Sequence, residues 1–494
     1  MQKIKRKIPF AEISIWVLIG AMVALYFPLV FHNTYWADEC FSLLMTRRSW
    51  VDLVAATAVD VHPPLYYMIL KLISMPFPNW FPIYSIVSYL PIIALMVISA
   101  TYIKKHFGYF SSVIFILLIN LTPACFPYNT EVRMYTWPMF FVTLCGIFAF
   151  EIIKSEKVKA YKWVCFVICG LGAAYCHNYA LISTAVIYAF LFFYIIFKKK
   201  SQIVPCIIGY VVTVLGYLPW LFVLLQQFKT VSGDYWIEQV TTIGNCLSFC
   251  FGTFFSSHFL MFVLGISVII YFLTDNNYSA KFKKENGKKT FALDFEFIKK
   301  LDFTAIFCIL CFATISITAL IGIVVSILTR PVFVVRYLYP SIGLLWLGFA
   351  ITFKHHGTSS KKVNLLAIAA IIFTLALGTA YYMPALRQTN AQYNDTKNIL
   401  SITSEQMQKD DIVKCDMPYF DWTVMPAYYP DNWTYPDYMP GEPLPENSRS
   451  WWFMQYEMTE DKKADLESQG FKVEKMAMGY FANFGTNLYL VSPK

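Results

Sequence analysis

The sequence predicts an all-α polytopic membrane protein that carries a small α/β domain at its C-terminal end. Three observations support this class. First, 57% of the 494 residues are hydrophobic and 14% are charged, which is too little charge to cover the surface of a soluble protein of this length. Second, the apolar residues are concentrated in runs such as Ile13–Val30 and Thr304–Leu328, each long enough to cross a hydrocarbon layer of roughly 30 Å as a helix. Third, lysines cluster between these runs.

The lysine clusters predict the orientation of the chain, because cytoplasmic loops of membrane proteins carry an excess of cations. If every cluster is cytoplasmic, the N-terminus lies inside the plasma membrane and the C-terminal region lies outside. The net charge is +15 up to residue 383 and −6 beyond it, a positive-inside pattern, so we expect no nucleic-acid partner. The clusters are Lys3–Lys7, Lys104–Lys105, Lys154–Lys162, Lys198–Lys200, Lys281–Lys300 and Lys354–Lys362.

Threading the chain in this way predicts about eleven transmembrane helices within residues 1–383. The first run lacks a small-residue cleavage site, so we expect an anchor rather than a cleaved signal peptide. The first outer loop, residues 32–80, contains Phe41–Met45 and Leu65–Ile73, which are amphipathic, too short to span, and predicted to lie in the membrane interface. The spans are predicted near residues 11–31, 81–103, 109–126, 134–153, 162–178, 179–197, 203–226, 247–273, 303–328, 336–353 and 364–383.

Residues 384–494 are predicted to form an extracytoplasmic α/β domain, because charged residues return after the last span. The aromatic- and proline-rich residues 417–445 are predicted to be irregular. The twelve cysteines lie mostly in apolar runs, which favours small buried side chains over a zinc site. The elements predicted in this domain are strands at Trp451–Tyr456, Phe471–Met478 and Asn487–Val491 and a helix at Glu460–Gln469 that ends at Gly470.

An acidic pair, Asp38-Glu39, follows the first span directly. Carboxylates beside an apolar interface are costly unless they are solvated, paired or used for chemistry. The structural alternative is a helix N-cap, in which the Asp38 carboxylate meets unpaired backbone amides. A residue in that position can also do both.

Four further polar motifs fall on the outer side in the topology derived from the lysines. A proline after His62 and a cation at the end of a span are ordinary in themselves, but unrelated motifs would be scattered over both faces. The motifs are Asp60-Val-His62-Pro-Pro-Leu-Tyr66-Tyr67, Tyr128-Asn-Thr-Glu131-Val-Arg133-Met-Tyr135, Cys176-His177-Asn-Tyr179 and Arg336-Tyr337-Leu-Tyr-Pro340.

The order of these motifs resembles that of membrane glycosyltransferases of the GT-C fold, over roughly residues 10–350. The closest resemblance is to bacterial relatives of protein O-mannosyltransferases and of the lipid A aminoarabinose transferases, glycosyltransferase families 39 and 83. The resemblance implies an inverting transferase that moves a sugar from a polyprenyl-phosphate donor to an acceptor hydroxyl outside the membrane. The chain also lacks a glycine-rich phosphate loop, which agrees with a lipid-borne donor. The acceptor is a lipid, a glycan or a protein.

Residue by residue, the resemblance places the catalytic aspartate of the family at Asp38, with Glu39 as its neighbour. Asp38 is then the base that takes the acceptor proton, and Arg336, Arg133 and His62 bind the donor phosphate. His62 stands where the lipid A-modifying relatives have a lysine, so phosphate contact, metal ligation and a spacer role all remain open for it. The other residues expected to line the site are Asp60, Tyr66, Tyr67, Glu131, His177 and Tyr337.

Several alternatives remain open at the level of sequence. No cofactor is required, but a divalent metal ion held by Asp60, His62 and His177 is a possible addition. Arg133 could pair only with Glu131, and Arg336 could only anchor the end of a span. The aromatic residues of the C-terminal domain, Trp422, Tyr428, Tyr429 and Trp433, fit either sugar stacking or packing, with packing favoured.

The main alternative function is a transporter or flippase of lipid-linked or cell-surface glycan precursors. Transporters usually carry ionisable groups at mid-membrane, whereas the carboxylates here cluster at the outer boundary. A second alternative is a transferase-like scaffold without activity.

Overall fold

The computed structural model describes residues 10–77, 80–233, 237–274, 282–285, 288–291, 301–354, 360–417, 420–430, 444–445 and 447–494. The first lysine cluster, most of Lys281–Lys300, Trp433 and most of the proline-rich stretch lie outside these residues.

The chain is a mostly helical multi-pass membrane protein, as the sequence predicts. Within the described residues, eight helices are long and apolar enough to cross a membrane, and three shorter ones occupy the other predicted spans. The long helices are α1 (Phe10–Phe31), α5 (Pro82–Phe107), α7 (Thr136–Lys154), α9 (Asn178–Lys198), α10 (Ile203–Gly233), α12 (Phe255–Thr274), α13 (Phe303–Leu328) and α15 (Ser360–Gln406). The shorter helices are α6 (Tyr109–Leu121), α8 (Ala160–Cys176) and α14 (Tyr339–Ile351). The predicted span 247–273 is divided into a short helix, α11 (Ile243–Phe251), and the long helix α12.

Hydrogen bonds between buried side chains fix the segment between α6 and α7, which later contributes to the site. Tyr26 on α1 donates its hydroxyl to the Asn120 carbonyl at 2.6 Å. Asn129 donates to the Tyr26 hydroxyl at 2.9 Å and accepts from the Tyr339 hydroxyl at 2.6 Å. Buried polar groups need such partners in an apolar surrounding. Residues 122–135 are therefore held between α1, α6 and α14.

Residues 32–80, predicted as the first outer loop, contain three short helices, α2 (Ala37–Arg47), α3 (Trp50–Val59) and α4 (Leu65–Ser74). The sequence predicts α2 and α4 but not α3. Ser49 caps α3 by accepting from the Asp52 amide at 3.1 Å, a local signal that the sequence does contain. Val51 and Val59 on α3 are mostly exposed, which suits a helix lying at an apolar interface.

The last helix of the membrane region, α15, continues without interruption into the C-terminal domain. It is 47 residues long, so the predicted domain boundary at residue 383 lies inside it. Strand β5 of the C-terminal domain packs along its outer half, where the Tyr480 amide donates to the Asp395 carboxylate at 3.0 Å. The membrane region and the C-terminal domain therefore share one rigid element.

The C-terminal domain is a four-stranded sheet with two described helices, α16 (Met425–Tyr428) and α17 (Glu460–Ser468). The helix α16 lies within the stretch 417–445 that the sequence predicts to be irregular. Its strand order is β3-β4-β6-β5, with β3 and β4 parallel and the other pairs antiparallel. The three predicted strands are present, whereas β3 is not among the predictions. The strands are β3 (Ile412–Cys415), β4 (Ser450–Met454), β5 (Phe471–Phe481) and β6 (Phe484–Pro493). A separate antiparallel hairpin, β1 (Phe282–Glu285) and β2 (Lys288–Phe291), lies between α12 and α13.

The cysteines behave as the sequence predicts. None of the twelve forms a disulfide, and eleven are buried while Cys165 is half-buried. Tyr429 is buried and contacts Phe453, and the half-buried Tyr428 stacks on Phe81, so both tyrosines pack as favoured. Trp422, by contrast, is 48% exposed.

Candidate functional site

Glu39 lies in the first turn of α2, where its buried carboxylate accepts hydrogen bonds from three separate groups. The backbone amide of Trp36 donates at 3.3 Å and the Asn33 side chain at 3.1 Å. The third donor is the backbone amide of Val132 at 2.8 Å, which belongs to the segment between α6 and α7. Glu39 thus joins the first outer loop to residues 122–135. Burial raises its pKa from 4.5 to about 7, against the lowering effect of these hydrogen bonds.

The neighbouring Asp38 points away from this buried junction. Its side chain is 36% exposed, and its Oδ2 lies 3.7 Å from Arg133 Nη2. Arg133 Nη1 also donates to the Asp38 carbonyl at 3.2 Å. Trp36, not Asp38, occupies the N-cap position of α2, so the interpretation of Asp38 as a helix cap alone is wrong. An exposed carboxylate beside a buried guanidinium is free to act on a ligand.

Arg133 is 5% exposed and pairs with Asp38. The alternative that Arg133 pairs only with Glu131 is therefore wrong. The Glu131 carboxylate has no hydrogen-bond partner within the described part of the chain and lines a cavity together with Arg336. Burial, and then the charge of Glu39, raises the pKa of Glu131 from 4.5 to about 8, although Arg133 and Arg336 act in the opposite direction.

A second group of predicted residues lies beside this first one. His62 Nδ1 and Asp60 Oδ2 are 3.1 Å apart, and the rings of His62 and His177 lie 5.9 Å apart. The ring of Tyr337 lies 5.3 Å from that of His177. Burial, opposed by Asp60, lowers the pKa of His62 from its ordinary value. The structure therefore brings together residues from all the motifs singled out in the sequence.

Two cavities of different chemistry open beside these groups. The apolar cavity has a volume of about 250 Å³ and lies among α9, α10 and α13. The polar cavity has a volume of about 510 Å³ and lies between α1, α15 and the segment before α7. Predicted site residues line both, namely His62, His177 and Tyr337 in the apolar cavity and Glu39, Glu131 and Arg336 in the polar cavity.

Two sequence predictions are corrected by this geometry. Across the described residues, no group of three His, Cys, Asp or Glu side chains is placed to hold a metal ion, so the set Asp60, His62 and His177 does not form a ready metal site. Tyr66 is fully buried and lies 3.2 Å from the Ser88 hydroxyl, so it supports the site rather than lining a cavity. Tyr67 is buried as well, and burial raises the pKa of its hydroxyl above the ordinary value.

Several polar residues that line the cavities are not among the predicted site residues, including residues that carry side-chain amides. Asn33 and Asn483 line the polar cavity, and Asn178 and Gln227 line the apolar cavity. Asn178 follows His177 directly and could have been noticed from that neighbourhood. Asn483 comes from the β5–β6 turn of the C-terminal domain and accepts a hydrogen bond from Thr34 at 2.5 Å. No local pattern connects residues so far apart in the chain.

Glu131 predicts a pH dependence of stability. Its pKa in the folded protein is about 8, above its ordinary value of 4.5, so the folded state holds a proton that the unfolded state loses. The stabilisation of the folded state by this proton is complete below pH 4.5 and is lost as the pH rises to about 8. Glu131→Gln should therefore flatten the fall in thermal midpoint between pH 5 and pH 8. The measurement is the midpoint of the purified protein at both pH values, with the exposed Glu405→Gln as a control for charge removal. Equal slopes in wild type and Glu131→Gln would contradict the prediction.

Comparison with solved structures gives two matches that extend over nearly the whole chain. The crystal structure of ArnT from Cupriavidus metallidurans in the apo state has a TM-score of 0.58 at 9% identity and covers 97% of each chain. The structure of ArnT from the same organism bound to undecaprenyl phosphate has a TM-score of 0.61 at 9% identity and covers 97% of this chain and 98% of that one. At this identity the likeness establishes the fold, which is the GT-C fold that the motif order implies.

A third solved structure is less similar to this chain. The archaeal oligosaccharyltransferase AglB from Archaeoglobus fulgidus, in complex with an inhibitory peptide and a dolichol-phosphate, has a TM-score of 0.45 at 12% identity and covers 86% of this chain and 64% of that one. No family model matches the sequence, and the search of curated proteins returned no match.

Proposed function

We propose that this protein is an inverting glycosyltransferase that moves a sugar from a polyprenyl-phosphate carrier to an acceptor hydroxyl. The observation that supports this most is the position of Asp38. Its carboxylate is 36% exposed and lies 3.7 Å from a buried arginine, and its chain neighbour Glu39 lines the polar cavity. A transferase of this kind needs a base, a cation for phosphate and separate places for a lipid-linked donor and a polar acceptor.

The donor is proposed to bind in and above the apolar cavity. The first isoprene units fit the aliphatic wall, which includes Leu224, Ile321 and Val325. Arg133 and Arg336 would hold the phosphate, because a planar guanidinium makes two parallel hydrogen bonds to phosphate oxygens. The fold likeness to an ArnT structure that holds undecaprenyl phosphate supports this assignment.

The acceptor is proposed to enter through the polar cavity, where Glu39, Glu131 and Arg336 meet amide and aromatic side chains. Asp38 takes the proton of the acceptor hydroxyl as its oxygen attacks the anomeric carbon. The bond between that carbon and the phosphate oxygen breaks, and the polyprenyl phosphate leaves as an anion that the arginines stabilise. A single displacement inverts the configuration at the anomeric carbon. The acceptor is a lipid, a glycan or a protein.

Glu39 has a supporting role in this proposal. Its two carboxylate oxygens are occupied by three donors, and the side chain is 2% exposed, so it is poorly placed to take a proton from an acceptor. By fixing the backbone at Val132, it positions Arg133 one residue later.

Asp38→Asn should lower transfer by about 10²–10⁴-fold, because the amide cannot accept the acceptor proton. The measurement is transfer of sugar by the purified protein added to total membranes from cells that lack it and were grown on labelled sugar, since such membranes supply the labelled donor together with lipid, glycan and protein acceptors. Asp52→Asn is the control, since Asp52 is exposed on α3 in the same loop and pairs locally with Ser49. If Asp38→Asn retains the wild-type rate while folding normally, Asp38 is not the base.

We also propose that the site and the C-terminal domain face outward across about eleven crossings of the plasma membrane, with the N-terminus inside. The lysine clusters support this orientation. Glu156, in the exposed connection between α7 and α8, is then cytoplasmic, and the exposed Glu467 on α17 is outside.

A matched pair of probes tests this orientation. An impermeant thiol reagent should label Glu467→Cys but not Glu156→Cys in intact cells, and should label both after the membrane is opened. Labelling is compared with that of the wild type, whose native cysteines are mostly buried. The reverse pattern in intact cells would show that the orientation is wrong.

A further inference from the structure

The apolar cavity contains three buried polar atoms that have no hydrogen-bond partner among the described residues. They are His177 Nε2, Asn178 Oδ1 and Gln227 Oε1. His177 is 2% exposed and Gln227 is 6% exposed. Nearly all buried polar groups in folded proteins are paired, because an unpaired one loses its hydrogen bonds to water without replacement. Three such atoms on the wall of one cavity therefore indicate a bound polar group rather than packing.

The chemical role of each atom is fixed by the backbone partner of the other end of its side chain. His177 Nδ1 accepts from the Tyr179 amide at 3.0 Å, so the neutral ring carries its proton on Nε2 and offers a donor. Asn178 Nδ2 donates to the Val61 carbonyl at 3.0 Å, which leaves Oδ1 as an acceptor. Reversing the Asn178 amide would place Oδ1 against the Val61 carbonyl oxygen, and two acceptors cannot form a hydrogen bond with each other.

Gln227 is fixed in the same way. Its Nε2 donates to the carbonyls of Thr57 at 3.0 Å and Asp60 at 2.5 Å, at the C-terminal end of α3. Those carbonyls belong to the last turn and the C-cap of the helix, where backbone carbonyls lack intrahelical partners. Gln227 Oε1 therefore presents an acceptor to the cavity. The cavity offers two carbonyl-type acceptors and one N–H donor next to His62.

This pattern excludes the phosphate and the isoprene chain as the partners of these atoms. A phosphodiester oxygen accepts hydrogen bonds and would be repelled by two amide oxygens, and a hydrocarbon offers no hydrogen bond at all. A sugar ring has hydroxyls that donate and oxygens that accept. It therefore matches all three atoms.

We infer that Asn178, Gln227 and His177 bind the sugar of the donor and determine which sugar is transferred. Hydroxyls of the sugar donate to Asn178 Oδ1 and Gln227 Oε1, and a sugar oxygen accepts from His177 Nε2. This inference rests on the proposed function. The inference extends the proposed function by assigning sugar selection to the buried amide oxygens. A donor without the matching hydroxyl is rejected because it leaves these oxygens without a hydrogen-bond partner.

The test is the affinity of the full-length protein, reconstituted in lipid, for decaprenyl phosphate alone and for decaprenyl phosphate carrying glucose, mannose, galactose, N-acetylglucosamine or arabinose. At least one sugar should raise the affinity of the wild type by 10-fold or more over decaprenyl phosphate alone. Asn178→Leu and Gln227→Met should each reduce that gain by about 10-fold, the effect of one lost hydrogen bond of about 1.4 kcal/mol, and leave affinity for bare decaprenyl phosphate unchanged.

Tyr217→Phe is the matched control. Tyr217 lies on α10, as Gln227 does, and its buried hydroxyl also has no partner among the described residues, but it does not line the cavity. It should retain the full sugar preference. Because Gln227→Met also removes the contact with α3, the thermal midpoint is measured for each variant, and Asn178→Leu and His177→Phe provide independent variants.

Two results would overturn the inference while leaving the proposed function intact. One is equal loss of affinity for bare and sugar-bearing decaprenyl phosphate in Asn178→Leu and His177→Phe, which would show that these residues only shape the cavity. The other is a wild type that binds decaprenyl phosphate but gains from none of the five sugars. Failure of the wild type to bind any of these lipids would instead remove the proposed function itself.

Discussion

The buried carboxylate of Glu39 is the contact on which the geometry of the site depends. It receives the amide of Val132 at 2.8 Å, across more than ninety residues of sequence, and it also receives two donors from its own loop. A carboxylate held in this way fixes the distance between α2 and the segment before α7. Asp38 and Arg133 are the residues next to Glu39 and Val132, so fixing the two backbones brings their side chains together. Burial keeps the contact free of competing water, at the cost of a raised pKa.

The two cavities divide the proposed chemistry by polarity. Aliphatic side chains from membrane helices form the apolar cavity, which suits a lipid-borne donor, while amide, aromatic and carboxyl groups form the polar cavity. The C-terminal domain contributes to the polar cavity through Asn483, and α15 connects this domain to the membrane region as one continuous helix. Changes in the C-terminal domain can therefore affect the polar cavity without any contact with Asp38.

Much of the fold follows from two physical rules that operate along the sequence. Hydrocarbon thickness sets the length of an apolar run, and the placement of lysines sets the side of each loop, so the spans and the grouping of the polar motifs are predictable. The GT-C fold is implied by the resemblance of the motif order to a known family rather than by these two rules. Local sequence patterns do not predict contacts such as that of Glu39 with Val132, because neither segment contains a signal that identifies its distant partner.

The misses have related causes. Two carboxylates are candidate partners for Arg133, namely Glu131 in the same motif and Asp38 in another loop. The spacing in the sequence does not show which of them pairs with Arg133. Gln227 looks like an ordinary polar residue near the end of a span, and its meaning depends on the end of α3, a helix that the sequence analysis overlooked. Strand β3 has four residues and is stabilised by its parallel neighbour β4 rather than by its own pattern. Each miss is a case in which tertiary contact, rather than local preference, decides the structure.

Hydrogen–deuterium exchange at the Val132 amide tests the central contact most directly. That amide donates to Glu39, so in the wild type it should exchange slowly, and Glu39→Ala should accelerate exchange in the peptide covering residues 130–135. Asp38→Asn, which changes the adjacent carboxylate but not this hydrogen bond, should leave the protection intact. If Val132 remains equally protected in Glu39→Ala, the two loops are held together by other contacts and Glu39 does not organise the site.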